Sequence, residues 1–181
     1  ALQGSDLTPE QALGLTPIYN AITIISETVA QLPLGLYRRE GEDTVVARDD
    51  PLHDLVSMKP YKDYGTVHWR QVQQAHALAW GNGYAHIERN MRGDAVGLRL
   101  LDAGQTDVKR VDGVKVYVTI INGKAFTLRY EDVLHIPAMA FDGLLGKSPI
   151  TVARESVSTA SAAQKSGQQF FTNGSSWGST V

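Results

Sequence analysis

The spacing of apolar residues changes from a helical period to a strand period and back again along the chain. Thr8-Pro9 opens a short helix that Gly14 stops, and Thr16-Pro17 repeats this cap-and-proline start for a longer helix ending before Pro33. The longer helix carries one apolar face with spacings of four and three residues: Ile18, Ile22, Ile25 and Val29. We predict that this face packs against the core.

Short elements and one further helix follow before the period changes. Residues 34–38 and 44–47 alternate like two strands around a turn at 41–43, and Asp50-Pro51 opens a short helix that places Leu52, Leu55 and Val56 inward. After a loop at 59–65, Thr66 is predicted to cap a helix that Gly81 closes. Its predicted inner face consists of Trp69, Val72, Ala75 or His76, and Ala79.

The middle of the chain alternates with a period of two residues. The pattern predicts strands at 84–88, 96–101, 114–121, 125–130 and 133–136. Asp112-Gly113 and Asn122-Gly123 are strong hairpin signals, because both central residues of a type I′ turn need positive φ. Within 114–121 one face carries Val114, Val116, Val118 and Ile120, and the other carries Lys115, Tyr117 and Thr119.

The chain ends with a predicted long helix. Ser148 is a natural N-cap, Pro149 suits the first helical position, and Asn173-Gly174 supplies a left-handed stop. The roughly 22 residues between these signals would extend about 33 Å. One side forms a seam with a small-residue centre: Ile150, Ala153, Val157, Ala160, Gln164, Gly167 and Phe171. The seam predicts either an ordinary core helix with a narrow contact or a close contact with another helix.

Together these elements predict an α+β fold, a small antiparallel β meander flanked by helices with a long C-terminal helix. The 181 residues suffice for one domain with a real core. No cysteine is present, which excludes disulfides, zinc–thiolate sites and cysteine nucleophiles. The net charge of −2 argues against a tight grip on nucleic acid. No apolar run is long enough to span a membrane, so we expect no membrane partner.

The most suggestive chemical motif is Gly146-Lys147-Ser148, which resembles the end of a phosphate-binding loop. The first glycine of that motif would fall at position 141, which is Phe, and Pro149 removes an N–H where a phosphate seeks donors. No apolar strand ending in Asp follows to hold magnesium. A glycine loop before a capped helix is therefore the better interpretation, with nucleotide binding kept as an alternative.

Other catalytic templates fit less well. Gly174-Ser-Ser-Trp-Gly178 has the spacing of a nucleophile elbow but follows a helix, and Gly81-Asn-Gly83 is simpler as a helix stop. The histidines lack a recognised metal-ligand spacing: His53, His68, His76, His86 and His135. We therefore expect no enzyme activity, no catalytic or metal-binding residues and no cofactor.

Charged and aromatic clusters predict a solvated surface for the most part. Basic pairs at Arg38-Arg39 and Lys109-Arg110, and Arg89 with Arg92, are flanked by acidic residues. Aromatic residues near Lys59 and Lys62 are a weak signal for a partner surface: Tyr61, Tyr64 and Trp69.

The order of short motifs resembles one protein family over nearly the whole chain. The segments that carry the resemblance are Thr16-Pro-Ile-Tyr-Asn-Ala21, Ile25-Ser-Glu27, Val29-Ala-Gln-Leu-Pro-Leu34, Leu36-Tyr37, Pro51-Leu-His-Asp-Leu55, Trp80-Gly-Asn-Gly-Tyr84, Ile87-Glu-Arg89, residues 98–102, Asp132-Val-Leu-His-Ile136, Gly143-Leu-Leu-Gly-Lys-Ser-Pro-Ile150, Ala153-Arg154 and Phe170-Phe-Thr-Asn-Gly174. In this order they are similar to the N-terminal part, the wing-like region, of tailed-bacteriophage portal proteins of the HK97 family.

The resemblance implies a structural conduit rather than an enzyme. Portal proteins of this family form rings, commonly of twelve subunits, at one vertex of the phage capsid, and double-stranded DNA passes through the channel during packaging and ejection. The implied partners are other copies of the chain, terminase, capsid and head–tail connector proteins, and DNA held weakly without sequence preference. The implied location is the virion, assembled in the bacterial cytoplasm.

The resemblance also sets the expected domain limits. Residues 1–174 correspond to the wing-like α+β domain and residues 175–181 to a tail, ahead of the stem, clip and tunnel segments of the family. The tail departs from the family pattern, which has a proline and an apolar strand after Asn173-Gly174. Two alternatives remain, a nucleotide-binding domain resting on Gly146-Lys147-Ser148 and a general protein-interaction adaptor.

Overall fold

The computed structural model describes residues 8–140 and 143–172 as helices packed on small antiparallel sheets. The helices are α1 (Pro9–Leu13), α2 (Thr16–Gln31), α3 (Pro51–Ser57), α4 (Thr66–Trp80), α5 (Pro149–Val152) and α6 (Arg154–Thr172). The strands are β1 (Tyr37–Glu40), β2 (Asp43–Val46), β3 (Asn82–Arg89), β4 (Ala95–Leu101), β5 (Thr106–Val111), β6 (Val114–Ile121), β7 (Lys124–Arg129) and β8 (Val133–Pro137). The predicted α+β class is confirmed.

The strands form two three-stranded sheets and one hairpin. The first sheet has the order β4-β3-β8, the second has the order β5-β6-β7, and β1 pairs with β2 alone. Short 3₁₀ turns, Ala103–Gln105 and Tyr130–Asp132, carry the chain from the first sheet to the second and back. The carboxylate of Asp102 begins the first of these turns by accepting the Gly104 N–H at 2.9 Å. The predicted meander is thus antiparallel but divided between two sheets.

The hairpin predictions are confirmed by the backbone angles. Asp112 and Asn122 have φ of 51°, and the glycines that follow them have φ of 80° and 76°. Strand β5 was absent from the sequence prediction, because its Lys109-Arg110 pair interrupts the alternation and both residues are exposed. In β6 the buried side chains are Tyr117 and Thr119, so the deeper face of this strand is the one without the valines.

Helix α2 packs through a different face from the predicted one. Ile18 and Ile22 are partly buried as expected, but Ile25 and Val29 are exposed. The buried residues of the helix are Ser26 and Ala30, one turn and two turns after Ile22. Their small side chains let α4 approach closely. The helix also begins without a side-chain cap, because Leu15 occupies the N-cap position and Thr16 is already helical.

The predicted long C-terminal helix is interrupted. Ser148 and Pro149 start α5 as expected, but Ala153 has φ −91° and ψ 16°, outside the helical region, and α6 begins at the next residue. Beyond Val157 most side chains of α6 are exposed. Ala160 is exposed at the rim of a cavity shared with Leu15 and Pro17, and a Cβ atom on Gly167 would meet no atom within 4 Å. The predicted stop at Asn173-Gly174 lies outside the described residues.

Buried side chains form three clusters joined through α4 and β3. The first contains Ala12, Leu15, Ala79, Ile150 and Val157, under α1 and α5. The second lies between the sheets around Tyr84, Leu101, Ala103, Tyr117 and Val133, and the third lies around Leu55, Trp69, Ala85 and Leu98. Among residues 8–140 and 143–172, none of the helices has the length and hydrophobicity that a membrane crossing requires.

Candidate functional site: the junction between helix α4 and the loop before helix α5

Two glycine segments meet where α4 ends and the loop before α5 returns to the body. Gly81 ends α4 with φ of 85°, and a Cβ atom built on it would lie 2.5 Å from the Gly146 carbonyl oxygen. A Cβ atom on Gly146 would lie 2.1 Å from the Gly81 carbonyl oxygen and 2.4 Å from the Ala138 nitrogen. Side chains at either position would therefore force the backbones apart. We call the contact of 81–83 with 146–148 the junction.

Backbone and hydroxyl hydrogen bonds close the junction. The Ala138 N–H donates to the Gly81 carbonyl at 2.8 Å, and the Lys147 N–H donates to the Met139 carbonyl at 3.0 Å. The Ser148 hydroxyl donates to the Ala79 carbonyl at 2.7 Å and accepts from the Ile150 N–H at 3.1 Å. Ser148 therefore caps α5 as the sequence predicts and also ties that helix to the end of α4.

Asn82 bonds both backbone groups of Gly146. Its Oδ1 accepts from the Gly146 N–H at 2.8 Å, and its Nδ2 donates to the Gly146 carbonyl at 3.0 Å. Because a backbone N–H can only donate and a carbonyl can only accept, these two contacts determine which way the amide points. Oδ1 also lies 2.8 Å from Nε2 of His135, so Nε2 must carry the proton in that contact.

His135 continues the network into the second sheet. With Nε2 protonated, the neutral ring presents Nδ1 as an acceptor, and Nδ1 lies 3.2 Å from Nζ of Lys115 and 3.3 Å from the Tyr117 hydroxyl. The imidazole also stacks on the Tyr84 ring, with centroids 4.7 Å apart. A continuous chain of polar contacts thus runs from β6 through β8 and β3 to the loop before α5.

The environment of His135 keeps the ring uncharged. Burial lowers the pKa of His135 to about 4, with the nearby Lys115 ammonium acting in the same direction. Burial likewise raises the pKa of Tyr84, so its phenol stays protonated. A neutral histidine is the only form that can accept from Lys115 and Tyr117 while donating to Asn82.

This geometry is unsuited to a phosphate-binding loop. Such a loop aims several backbone N–H groups at the phosphates. Here the N–H of Gly146 is bonded to Asn82, that of Lys147 to Met139, and that of Ile150 to Ser148, while Pro149 has none. The backbone N–H groups of Gly146 and Lys147, which a nucleotide would need, are therefore bonded inside the protein.

The remaining sequence candidates do not converge on one place. His53 contacts Asp54 on α3. On α4, the His68 ring lies edge-on to Tyr64 and the His76 ring lies edge-on to Trp80. Within the described ranges, no cluster of three or more His, Asp or Glu side chains could hold a metal ion. The Gly174–Gly178 segment lies outside the described residues.

Several of the basic residues named from the sequence have local acidic or carbonyl partners. Arg38 pairs with Asp49 at 3.0 Å, Arg89 with Asp132 at 3.5 Å, and Arg110 donates to the Gly113 carbonyl. The solvated surface predicted for these pairs therefore holds for Arg38, Arg89 and Arg110, each of which is exposed.

The aromatic residues after Lys59 are internal rather than a partner surface, which corrects that prediction. Tyr61 and Trp69 are buried, and the indole N–H of Trp69 donates to the Leu98 carbonyl at 2.8 Å. The Tyr64 hydroxyl accepts from the Leu100 N–H at 2.9 Å. These side chains cover the outer edge of β4, and their sequence spacing gave no sign of that long-range contact.

The roles of Asn82 and His135 were not predicted from the sequence. Asn82 was considered only as the middle of a helix stop, and His135 only as one of several scattered histidines. The one local signal for Asn82 was its position between two glycines. Glycines often mark places where another part of the chain comes close, and a side chain between them can contact that segment. The partners of both residues are distant in sequence, so no spacing rule would have paired them.

The chain belongs to the phage portal protein family, because a model of that family matches residues 16–180. It is 28% identical over 175 residues to the portal protein of Enterobacteria phage HK97, covering 96% of this chain and 41% of that protein. It is 32% identical over 192 residues to the probable portal protein of Streptomyces phage phiC31, covering 100% of this chain and 42% of that protein. The chain thus spans less than half the length of these curated relatives.

Solved structures share the fold. The neck of an empty GTA particle, computed with C6 symmetry, matches with a TM-score of 0.74 at 20% identity, over 88% of this chain and 44% of that one. A native GTA neck computed with C12 symmetry matches with a TM-score of 0.71 at 18% identity, over 94% and 47%. A crystallised HK97-family phage portal protein from Corynebacterium diphtheriae matches with a TM-score of 0.62 at 18% identity, over 95% and 52%. The family predicted from the sequence motifs is confirmed.

Proposed function

We propose that this chain is the wing-like part of a portal subunit, which forms a ring at one vertex of a phage capsid and serves as the conduit for packaging and ejecting the genome. The observation that carries the proposal is the family match over residues 16–180. The engaged backbone of the junction supports a structural role over nucleotide binding, since its donors are used inside the subunit.

The proposed domain limits follow the family. Residues 1–174 form the wing-like domain, and residues 175–181 lead toward further segments. Proposed partners are copies of the same chain in a ring of twelve, terminase, capsid and head–tail connector proteins. One matched neck structure was computed with C12 symmetry, which supports twelve as the ring size to test first. The proposed location is the portal vertex of the virion, and the subunit has no catalytic activity of its own.

Assembly of the natural-length protein tests this proposal. A subunit that meets its two neighbours through different surfaces closes into a ring when the repeated rotation is fixed. We expect rings in electron micrographs and a matching mass by light scattering. The 181-residue chain alone should be mostly monomeric in dilute solution, because a stable contact usually buries more than about 1,000 Å². A natural-length protein that stays monomeric at high concentration would contradict the proposal.

DNA binding by the chain should be weak. A conduit that neutralised many phosphates would retard the sliding of DNA, and this chain has a net charge of −2. We expect affinity for duplex DNA at about 0.15 M salt no tighter than the non-specific range of roughly 10⁻⁴–10⁻⁶ M. Fluorescence anisotropy with two unrelated duplexes measures this, and sub-micromolar binding would contradict it.

The nucleotide-binding alternative has its own test. In isothermal titration calorimetry of the chain with ATP and magnesium, we expect no binding with a dissociation constant in the micromolar range. Micromolar binding that Lys147→Ala abolishes would favour the alternative over the conduit. A general adaptor would also fail to bind ATP and DNA, so ring assembly alone separates an adaptor from a portal.

A further inference from the structure

Helix α6 leaves two complementary apolar features exposed at its opposite ends. At its base lies a groove between α2 and α5–α6, about 330 Å³ in volume and lined mainly by Pro17, Ile18, Ala21, Ile25, Leu78 and Val157. At its far end, Phe170 and Phe171 are 53% and 83% exposed, with their rings 5.7 Å apart. We call the first feature the groove and the second the tip.

The groove is apolar throughout. All the residues that line it are hydrophobic, including Pro149, Ile150 and Ala153 from α5 and the residue after it. Its volume falls at the low end of the range for pockets that take small ligands. A charged or strongly hydrated group would lose its hydration in the groove without gaining a partner, so an apolar side chain is the occupant that fits.

The tip cannot reach the groove of its own chain. Val157 lies in the groove wall and Phe171 lies 14 residues further along the same helix, a rise of about 21 Å at 1.5 Å per residue. Helix α6 is continuous from Arg154 to Thr172, so it does not fold back. The partner that brings an apolar tip to the groove must therefore be another segment or another molecule.

We infer that the tip of one copy inserts into the groove of the next copy. Such a contact joins two different surfaces, which is the head-to-tail type that generates closed rings. The inference rests on the proposed function, and the C12 symmetry of a matched neck supports a second copy of this chain as the occupant. The tip–groove contact is small, so it adds to other contacts in a ring and does not hold two isolated chains together.

Cysteine cross-linking tests the contact directly, because the chain contains no cysteine of its own. Phe171→Cys places a thiol at the tip, and Ala21→Cys places one at the exposed rim of the groove. The double variant of the natural-length protein is treated with a short bis-maleimide and separated under denaturing conditions. A tip–groove contact between copies gives a ladder of dimer, trimer and higher bands.

Matched controls identify the contact that produces the bands. Each single variant can give at most a dimer, since it has one thiol. The pair Phe171→Cys with Lys124→Cys, a residue beside the β6–β7 turn and away from the groove, should give no ladder. Circular dichroism of each variant checks that the fold is intact, and all of the substituted positions are exposed.

The outcomes separate the inference from the proposed function. Rings seen by microscopy with no ladder from the Ala21–Phe171 pair would overturn the inference and leave the conduit standing. Absence of rings in the cysteine-free protein would contradict the conduit, whatever the cross-links show.

Discussion

The junction and helix α6 are adjacent in sequence but opposite in how they are held. At the junction two backbones interlock through Gly81 and Gly146, and Asn82 bonds the Gly146 amide and carbonyl. A few residues later most side chains of α6 beyond Val157 are exposed, and a Cβ atom on Gly167 would meet no atom within 4 Å. The junction is therefore specified by contacts within one subunit, whereas most of α6 beyond Val157 is exposed.

Small residues have different structural roles in the two regions. Glycine at 81 and 146 is required by close backbone approach inside the fold. In the α6 seam, Ala160 is exposed and Gly167 has open space where a side chain would lie. The sequence pattern alone showed small residues in both regions and could not distinguish a filled contact from an open one.

The largest expected difference in stability is between two glycine-to-alanine substitutions, one at the junction and one in α6. Gly146→Ala would place a Cβ atom 2.1 Å from the Gly81 oxygen, so we expect a loss of about 3 kcal/mol or more in unfolding free energy. Gly167→Ala meets no atom within 4 Å and should stabilise α6 by about 0.5–1 kcal/mol. Urea denaturation of both variants measures this, and equal effects would remove the distinction between the regions.

Removing the Asn82 amide should have the next largest effect. Asn82→Ala leaves the Gly146 N–H and carbonyl without their partners, and Gly146 is buried. We expect a loss of about 2–4 kcal/mol, which is the cost of leaving two buried groups unpaired. The control Gln168→Ala removes an amide from exposed α6 and should change stability by less than about 0.5 kcal/mol. A cost below 1 kcal/mol for Asn82→Ala would show that water replaces the amide.

Acid should weaken the junction through His135. Its folded pKa of about 4 lies below the usual 6.5, so its stabilising effect is complete above pH 6.5 and disappears as the pH falls toward 4. Between pH 6.5 and 4 the unfolded chain binds a proton at His135 that the folded chain does not bind. We expect a loss of about 1–3 kcal/mol. Each unit of pKa shift corresponds to about 1.4 kcal/mol, and solvent screening of this half-buried ring reduces the total.

Variants can assign this acid sensitivity. His135→Gln keeps a donor and an acceptor but cannot titrate, so denaturation midpoints should vary less between pH 6.5 and 4 than in the unaltered protein. Burial also lowers the pKa of His76, and this residue accounts for part of any dependence that remains. The control Gln168→Ala, at an exposed position of α6, should keep the full acid sensitivity. An unchanged pH profile in His135→Gln would exclude His135 as the cause.

The smallest expected effect is on the α6 seam. Ala160→Leu adds bulk at an exposed position, so the stability of the isolated chain should change by less than about 0.5 kcal/mol. The same substitution at buried Ala77 on α4 should overpack the core and cost about 1–3 kcal/mol. Thermal unfolding of both variants provides the measurement. A destabilised Ala160→Leu chain would mean that α6 packs within the subunit after all.

Much of the fold was predictable at positions where the local backbone conformation requires a particular residue type. The Asp112-Gly113 and Asn122-Gly123 turns, the stop at Gly81 and the cap at Ser148 were all predicted from short motifs and are present. The same kind of local reasoning missed the break at Ala153, because alanine is a good helix former and nothing in its neighbourhood signals a stop.

The candidate site was predictable only in part. The loop from Gly143 to Ser148 was identified, and its family motifs led to the correct family. Its closure by Asn82 and His135 was not, since the partners are separated by up to 64 residues in sequence. Hydrogen bonds between residues so far apart in the chain produce no periodic pattern in the sequence.

The sequence by itself determined where this chain turns, starts its helices and needs glycine, because positive φ, missing N–H groups and capping hydroxyls act over a few residues. It also determined the family, through the order of many short motifs. Only the tertiary structure decided which faces are buried. Helix α2 packs through Ser26 and Ala30 and leaves Ile25 and Val29 exposed, because close approach of α4 favours small side chains there over the strongest hydrophobic stripe. Whether a face is buried depends on the element that packs against it, and the local sequence pattern does not identify that element.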